Sequence, residues 1–228
     1  MAPAFVQGKT VAITTNAAAV LAYTSNNTAG NLLVAVVRYT NLASNTPTCT
    51  DTQGNTWVKL EDTVNTSSHV VFWYALNAKA GANTVTIGAT PTQASFTTAL
   101  VAEFSGVKTT SAVDVHNIAN ASPNSSTATS PAVTTTAAGD LVLGYCSNES
   151  SNTLTITAGS GYTFRESMPN NPSSANSNGG LESKVGGAAG SETATLALGS
   201  VVNWTCGIAA FFASTSNTNQ LMLTGAGT

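Results

Sequence analysis

The chain has 228 residues, of which 7 are Lys or Arg and 10 are Asp or Glu, and its formal net charge is −3. Charged residues make up only 7% of the sequence, against about 25% in an ordinary soluble domain. This balance excludes the clustered Lys and Arg that nucleic-acid binding needs. No apolar run approaches the roughly 20 residues that span a bilayer, and the N-terminal segment lacks the apolar stretch of a signal peptide.

Alternating apolar and polar residues, with β-branched and aromatic residues between regularly spaced turns, predict an all-β chain. In chain order, the pattern predicts strands at Thr10–Thr14, Leu32–Tyr39, Trp57–Glu61, His69–Leu76, Asn83–Ile87, Phe96–Phe104, Leu141–Cys146, Leu154–Thr157, Tyr162–Glu166, Leu181–Val185, Thr193–Leu198, Trp204–Phe212 and Gln220–Leu223. The short apolar segment Asn16–Tyr23 lacks helical periodicity, so no helix is predicted.

An internal repeat gives the domain organisation. Four blocks recur in order, about 108 residues apart: AGNLLVAVV and AGDLVLGYC, GNTW and GYTF, AGANTVTI and AGSETATL, and FTTALVAEF and WTCGIAAFF. They predict an antiparallel, jelly-roll-like β-sandwich in two degenerate tandem copies, 1–110 and 130–228, joined by a polar linker at 111–129. We expect one fused sandwich with a pseudo-twofold relation, since a shared core buries more surface; two small sandwiches are the alternative.

Several of these blocks resemble a known kind of module. DTQGNTW, AGANTVT, VAEFSGV and TTTAAGDLVLG are similar to segments of a largely uncharacterised β-sandwich module of secreted bacterial proteins and phage structural proteins. The resemblance covers about Val11 to Ala213. It implies a β-sandwich and a place on a virion or outside the cell. It implies no catalytic residues, because a fold alone does not define an activity.

Features present in only one copy are candidates for function, because duplication preserves what the fold requires. Trp73 and Tyr74 of VVFWYAL correspond to Glu182 and Ser183, which are not aromatic. Neighbouring residues of a strand point to opposite faces, so we expect one of these two rings to lie away from the main core or beneath the linker. The second copy alone has a polar insert, Met168–Gly180. The candidate partner or glycan contacts are Trp73, Tyr74, Met168, Asn170 and Asn171.

Glu103, also limited to the first copy, has Phe211 as its counterpart. We expect its carboxylate to accept hydrogen bonds from turn amides. Glu61 and Asp62 are adjacent and are predicted to point to opposite sheet faces, so they do not form a catalytic pair. The two histidines, His69 and His116, belong to no recognisable nucleophile motif. The sequence therefore predicts a chain that is not an enzyme.

No cofactor is predicted, and calcium bound in a loop by Asp51, Asp114 or Asp140 is the alternative. The three cysteines have no zinc-ligand spacing. Cys49 is expected to be a free thiol. Cys146 and Cys206 are interpreted as buried apolar residues, and a disulfide between them is the alternative.

The function that these features favour is a structural or display protein of a virion or cell surface. Such a protein would form a homo-oligomer or bind other surface proteins, without nucleic acid and without membrane insertion. A chain so poor in Lys and Glu lacks residues that discourage association at sheet edges. The alternative is a carbohydrate-binding module of a secreted bacterial protein.

Overall fold

The structure is a computed structural model that describes residues 1–40, 46–64, 68–90, 97–120, 125–150, 152–170 and 178–215. Within these ranges the chain forms strands and no helix. The strands are β1 (Ala4–Ile13), β2 (Ala19–Ala22), β3 (Leu32–Thr40), β4 (Thr46–Asp51), β5 (Val58–Val64), β6 (Ser68–Ala75), β7 (Thr84–Thr90), β8 (Thr97–Ser105), β9 (Val113–Asn120), β10 (Ser125–Thr129), β11 (Val133–Thr134), β12 (Leu141–Asn148), β13 (Thr163–Met168), β14 (Gly179–Val185), β15 (Ser191–Glu192), β16 (Thr195–Val202) and β17 (Trp204–Phe211). The all-β prediction is confirmed.

Some predicted strands differ from the observed ones. The segment predicted at Leu154–Thr157 contributes a single bridge, between Thr157 and Ala197. The strand predicted at Gln220–Leu223 lies outside the described residues. The pattern missed β2, β4, β9, β10, β11 and β15. Most of these strands are short or polar, and β9 lies in a range that was interpreted as a linker because of its polar composition.

Two five-stranded antiparallel sheets form the middle of the molecule. Sheet I has the order β1-β8-β3-β6-β5 and sheet II has the order β13-β14-β12-β17-β9. Leu32 of β3 lies opposite Phe104, and Leu141 of β12 lies opposite Phe211. Corresponding strands of the two repeats thus occupy corresponding places. The pseudo-twofold relation between the copies stays a prediction.

In the last strand of each repeat, the residues that the structure places at equivalent positions differ by one residue from those that the sequence blocks aligned. Glu103 lies opposite Leu33, and the matching position opposite Val142 is Ala210, not Phe211. The sequence blocks alone misaligned this strand because the spacing between β12 and β17 differs from the spacing between β3 and β8.

Each five-stranded sheet is covered on both faces. Sheets I and II pack on each other through the central core, which contains Leu32, Val34, Phe72, Leu141 and Tyr145. A three-stranded sheet, β2-β7-β4, covers the other face of sheet I and closes the first outer core. The pairs β10-β16 and β11-β15 cover sheet II and close the second outer core. Strands buried on both faces have apolar residues at nearly every position, as in β3 and β12.

Tyr145 and Gly207, a large and a small residue on neighbouring strands, fit together in the central core. The Tyr145 ring stacks on Phe72, with 4.7 Å between ring centroids and 25° between ring planes. Gly207, directly opposite Tyr145, leaves the room for this ring, since a Cβ at Gly207 would lie 2.2 Å from Tyr145 Cζ. At the matching place in sheet I, Val36 lies opposite Leu100. The two copies therefore fill the core with different side chains.

The range predicted as a polar linker, 111–129, contains two strands. Most of that range forms β9, the edge strand of sheet II, and β10, which pairs with β16. Val113 and Val115 alternate with Asp114 and His116, which is the pattern of an edge strand with one solvated face. The polar composition of the range reflects its place at an edge, and the division of the chain into two copies stays a prediction.

The molecule has two different ends. At the terminal end, the N-terminal amine of Met1 donates to Ser214 O at 3.1 Å. Tight turns precede β3 and β12 there, with φ of 85° at Gly30 and 78° at Gly139, a region that glycine enters without steric cost. At the loop end, β3 and β12 finish and β6, β8 and β14 begin. Ser68 Oγ donates to Glu149 Oε1 at 2.8 Å and links the two sheets at that end.

Candidate functional site

Trp73 is buried and Tyr74 is half-buried, so neither is an exposed ring. Trp73 is 3% exposed and packs in the first outer core. Tyr74 is half-buried against the central core, edge-to-face with Phe211 at 5.6 Å between centroids. Both faces of β6 are covered because sheet I is an inner layer.

The candidates of the polar insert have different surroundings. Met168 is fully buried in the central core, so its assignment as a contact is corrected. A Cβ at Gly179 would lie 2.2 Å from Met168 Cε, so this glycine makes room for the Met168 side chain. Asn170 is half-buried at the loop end, and its Oδ1 has no partner among the described residues. Asn171 lies outside the described residues.

A polar cluster that the sequence analysis missed occupies the loop end of the central core. Arg38 is 1% exposed and lies opposite Thr98, while Ser147 and Thr205 face each other in sheet II and are also buried. Arg38 Nε and Nη2 and Thr98 Oγ1 have no partner within the part of the chain that is described. Burial lowers the pKa of Arg38, and the carboxylate of Glu149 opposes this shift. The sequence feature that could have revealed this cluster is the arginine within the apolar run LLVAVVRYT.

The chemistry of this polar cluster is that of a donor site. A guanidinium only donates hydrogen bonds, and a buried charge without a partner is unfavourable. Arg38 therefore suits a carbonyl or an anionic group at the loop end. Glu149 is the nearby acid of the protein itself, held by Ser68.

The expectation for Glu103 is confirmed: its buried carboxylate joins the loop before β3 to β1. Oε1 accepts from Thr28 N at 2.8 Å and Asn31 Nδ2 at 2.7 Å. Oε2 accepts from Asn27 Nδ2 and Gln7 Nε2, both at 2.7 Å. Hydrogen bonds to an ionised group are among the strongest in proteins, so this carboxylate fixes the loop structurally.

Two further acids are buried in the second copy. Burial raises the pKa of Glu182 to about 7, although the N–H groups of Gly159 and Thr195 donate to the carboxylate and Lys184 lies near it. Its Oε1 has no partner among the residues described. Burial also raises the pKa of Asp140 to about 6, with a further increase from the adjacent carboxyl of Asp114. Perturbed carboxyls occur at functional sites and in structural networks alike.

The histidines pair with carboxylates at the sheet edges. His116 Nδ1 lies 2.5 Å from Glu61 Oε1, which joins β9 of sheet II to β5 of sheet I. Asp62 instead contacts His69 and Lys59. Glu61 and Asp62 therefore have different partners, in agreement with their predicted opposite orientations.

Asp51 anchors a turn. It accepts hydrogen bonds from Asn55 N at 2.9 Å, Trp57 Nε1 at 3.0 Å and Asn83 Nδ2 at 3.1 Å. Burial opposes ionisation, but bonds from Asn55, Asn83 and Trp57 lower the pKa of Asp51. Over the described ranges, no three His, Cys, Asp or Glu side chains are grouped as metal ligands would be. The loop calcium site stays a prediction.

The described residues contain no helix of the length and hydrophobicity needed to cross a bilayer. No protein-family model, curated protein or solved structure matches this chain. The resemblance of the sequence blocks to a surface module therefore stays a prediction.

Proposed function

We propose that the chain is a non-catalytic structural or display module of a virion or cell surface that self-associates through its outer sheets. The distribution of charge supports this proposal. β2, β7, β10 and β16 contain no Asp, Glu, Lys or Arg, and Asp51, the one charged residue of β4, is engaged in its turn. These outer strands thus present hydroxyl, amide and small apolar groups. Glu192 of the short outer strand β15 forms an ion pair with Lys184.

The edges of the two inner sheets differ from the outer sheets. They carry Lys9 on β1, Lys59 on β5, Asp114 on β9 and Glu166 on β13. Charged residues at an edge discourage pairing with another sheet. The scarcity of charge noted in the sequence thus applies to the outer strands just named and not to the edges of sheets I and II. Because the edges of sheets I and II are charged, self-association would occur through the outer layers.

Exposed valines mark both outer layers. Val20 of β2 is 55% exposed and Val201 of β16 is 62% exposed. Contacts through such surfaces bury apolar area, and hydroxyls can bond through water, so that no charge has to be desolvated. A second copy of the chain is the partner with the same uncharged chemistry.

The two ends of the molecule suit a display role. Met1 and Ser214 meet at the terminal end. The nine residues of β3, at about 3.3 Å each, separate that end from the loop end by roughly 30 Å. A module attached at its terminal end would hold the loop end, including Asn170, away from the surface that carries it.

Sedimentation velocity over a wide range of protein concentration tests the proposal. We expect concentration-dependent oligomers from the unaltered chain and monomers from the double variant Val20→Lys with Val201→Lys, at an unchanged melting temperature. The matched control is Val58→Lys, because Val58 is 41% exposed on the charged edge strand β5. An unaltered chain that stays monomeric throughout, or a control that dissociates as the double variant does, would refute self-association through the outer sheets.

Carbohydrate binding stays a prediction. Sugar-binding sandwiches stack exposed aromatic rings on sugar faces, and every aromatic side chain that the structure describes is buried or half-buried. Trp57 and Trp204 in addition donate their ring N–H groups to Asp51 and Ser125. A glycan array read with the monomeric double variant separates this alternative from self-association.

A further inference from the structure

Two of the three cysteines meet in sheet II. Cys146 of β12 lies directly opposite Cys206 of β17. Both side chains are fully buried in the second outer core, beside Ala128, Leu196 and Leu198. Both are free thiols, as is Cys49, which lies apart from them in β4. Two thiols on one face of neighbouring strands are within reach of each other.

The hydrogen bonding of the ladder defines this pair more closely. Opposed residues in an antiparallel ladder alternate between hydrogen-bonded pairs, with Cα atoms about 5.5 Å apart, and non-hydrogen-bonded pairs, at about 4.5 Å. Glu149 N donates to Asn203 O at 2.9 Å, one step beyond the pair Asn148 and Trp204. Glu149 and Asn203 therefore form a hydrogen-bonded pair. Cys146 of β12 lies three residues before Glu149, so the alternation makes Cys146 and Cys206 a non-hydrogen-bonded pair.

The neighbouring strand gives an independent check. Asn148 N donates to Asn178 O at 2.9 Å on the β14 side. The even-numbered residues of β12 therefore direct their backbone groups to β14, and those of Cys146 point away from β17. The two cysteine side chains thus stand at the closer kind of pair. Its Cα separation of about 4.5 Å falls within the range of about 4.4–6.8 Å found in disulfides.

The fold itself does not require cysteine at these positions. Val37 and Ala99 occupy the matching places in sheet I, where they are directly opposite each other and fully buried. A valine and an alanine thus fill the same site of the repeat. The cysteine pair is a property of the second copy alone, as expected of a feature added to a duplicated frame.

We propose that Cys146 and Cys206 form a disulfide when the chain folds in the presence of a low-molecular-weight disulfide oxidant, so that β12 and β17 are covalently joined. The inference is independent of the proposed function. One cysteine thiolate attacks the oxidant, for example oxidised glutathione, and releases one glutathione thiolate. The second cysteine thiolate attacks the cysteine sulfur of the mixed disulfide and releases the second glutathione thiolate. Two electrons and two protons pass from the cysteines to one molecule of oxidised glutathione, which becomes two molecules of reduced glutathione.

The folded protein restricts when this can happen. Burial raises the pKa of Cys146 to about 12 and that of Cys206 well above its ordinary value. The thiolate is the reactive form, and buried thiols react slowly. Oxidation therefore belongs to the folding chain or to a locally opened sheet II. Once formed, the bridge closes the chain from residue 146 to residue 206 and restricts the unfolded state.

Refolding the full chain from denaturant, with oxidised and reduced glutathione or with a reductant, tests the inference. The oxidised product should be two hydrogens lighter, with one alkylatable thiol instead of three after denaturation, and with a cross-linked peptide joining Cys146 to Cys206. Its melting temperature should exceed that of the reduced form by roughly 4–16 °C.

Two variants serve as controls. Cys49→Ala should form the bridge and show the same shift in melting temperature. Cys146→Val with Cys206→Ala installs the residues of the first copy and should melt at one temperature under both conditions. A folded oxidised protein with three alkylatable thiols, a cross-link that contains Cys49, or a bridged form that melts below the reduced one would overturn the proposal. If oxidised refolding yields no folded protein, heating the reduced folded chain with oxidised glutathione gives the same three readouts.

Discussion

Replacing Glu103 by glutamine tests how far a single buried carboxylate holds the first repeat together. The shape of the side chain is kept, but one oxygen becomes an amide that donates. In the native protein Oε1 accepts from Thr28 N and Asn31 Nδ2, and Oε2 accepts from Gln7 Nε2 and Asn27 Nδ2. Either orientation of the new side chain leaves two donors facing an NH₂ group.

The expected loss of unfolding free energy follows from these bonds. A buried donor left without an acceptor costs about 1–3 kcal/mol, so two of them cost about 2–6 kcal/mol. Gln7 cannot relieve the conflict by turning its amide, because its Oε1 already accepts from Ser25 N at 3.0 Å and from Thr24 Oγ1 at 3.2 Å. At 2–4 °C for each kcal/mol, the melting temperature should fall by roughly 4–24 °C.

Urea and thermal unfolding at neutral pH, followed by circular dichroism, measure this effect. Glu182→Gln is the matched control: that carboxyl is equally buried, but its Oε1 has no partner among the described residues and its pKa is raised to about 7. We expect the control to change the unfolding free energy by less than about 1 kcal/mol. A loss below that value in Glu103→Gln, or an equal loss in both variants, would refute the structural role assigned to Glu103.

Two further predictions concern pH and the core. Burial raises the pKa of Glu182 from its ordinary value of 4.5 to about 7, and that of Asp140 from 3.8 to about 6. Protonation therefore favours the fold, and their contribution should be lost as pH rises from about 4 through 7; the melting temperature of Glu182→Gln with Asp140→Asn should vary less over this range. Trp73→Ala should lower the unfolding free energy by about 3–5 kcal/mol, and an unchanged urea midpoint would contradict its place in the first outer core.

Local and periodic features of the chain were predictable from the sequence. Strands β3 and β12 were found because residues buried on both faces are apolar at nearly every position. The turns at Gly30 and Gly139 were found because positive φ angles favour glycine. Glu103 was interpreted correctly because a lone acid in an apolar strand needs hydrogen-bond donors. Each of these inferences depends on a single segment and its immediate neighbours.

The roles of Trp73 and Arg38 were decided by tertiary structure. Alternation along β6 shows that Trp73 and Tyr74 face opposite ways, but not that a second sheet covers each face. Arg38 becomes a buried donor only because sheet II closes over its end of β3. The pairing of Cys146 with Cys206 likewise depends on the register of two strands far apart in sequence. Side-chain periodicity specifies a face for each residue; only the packing of distant strands specifies what lies against that face.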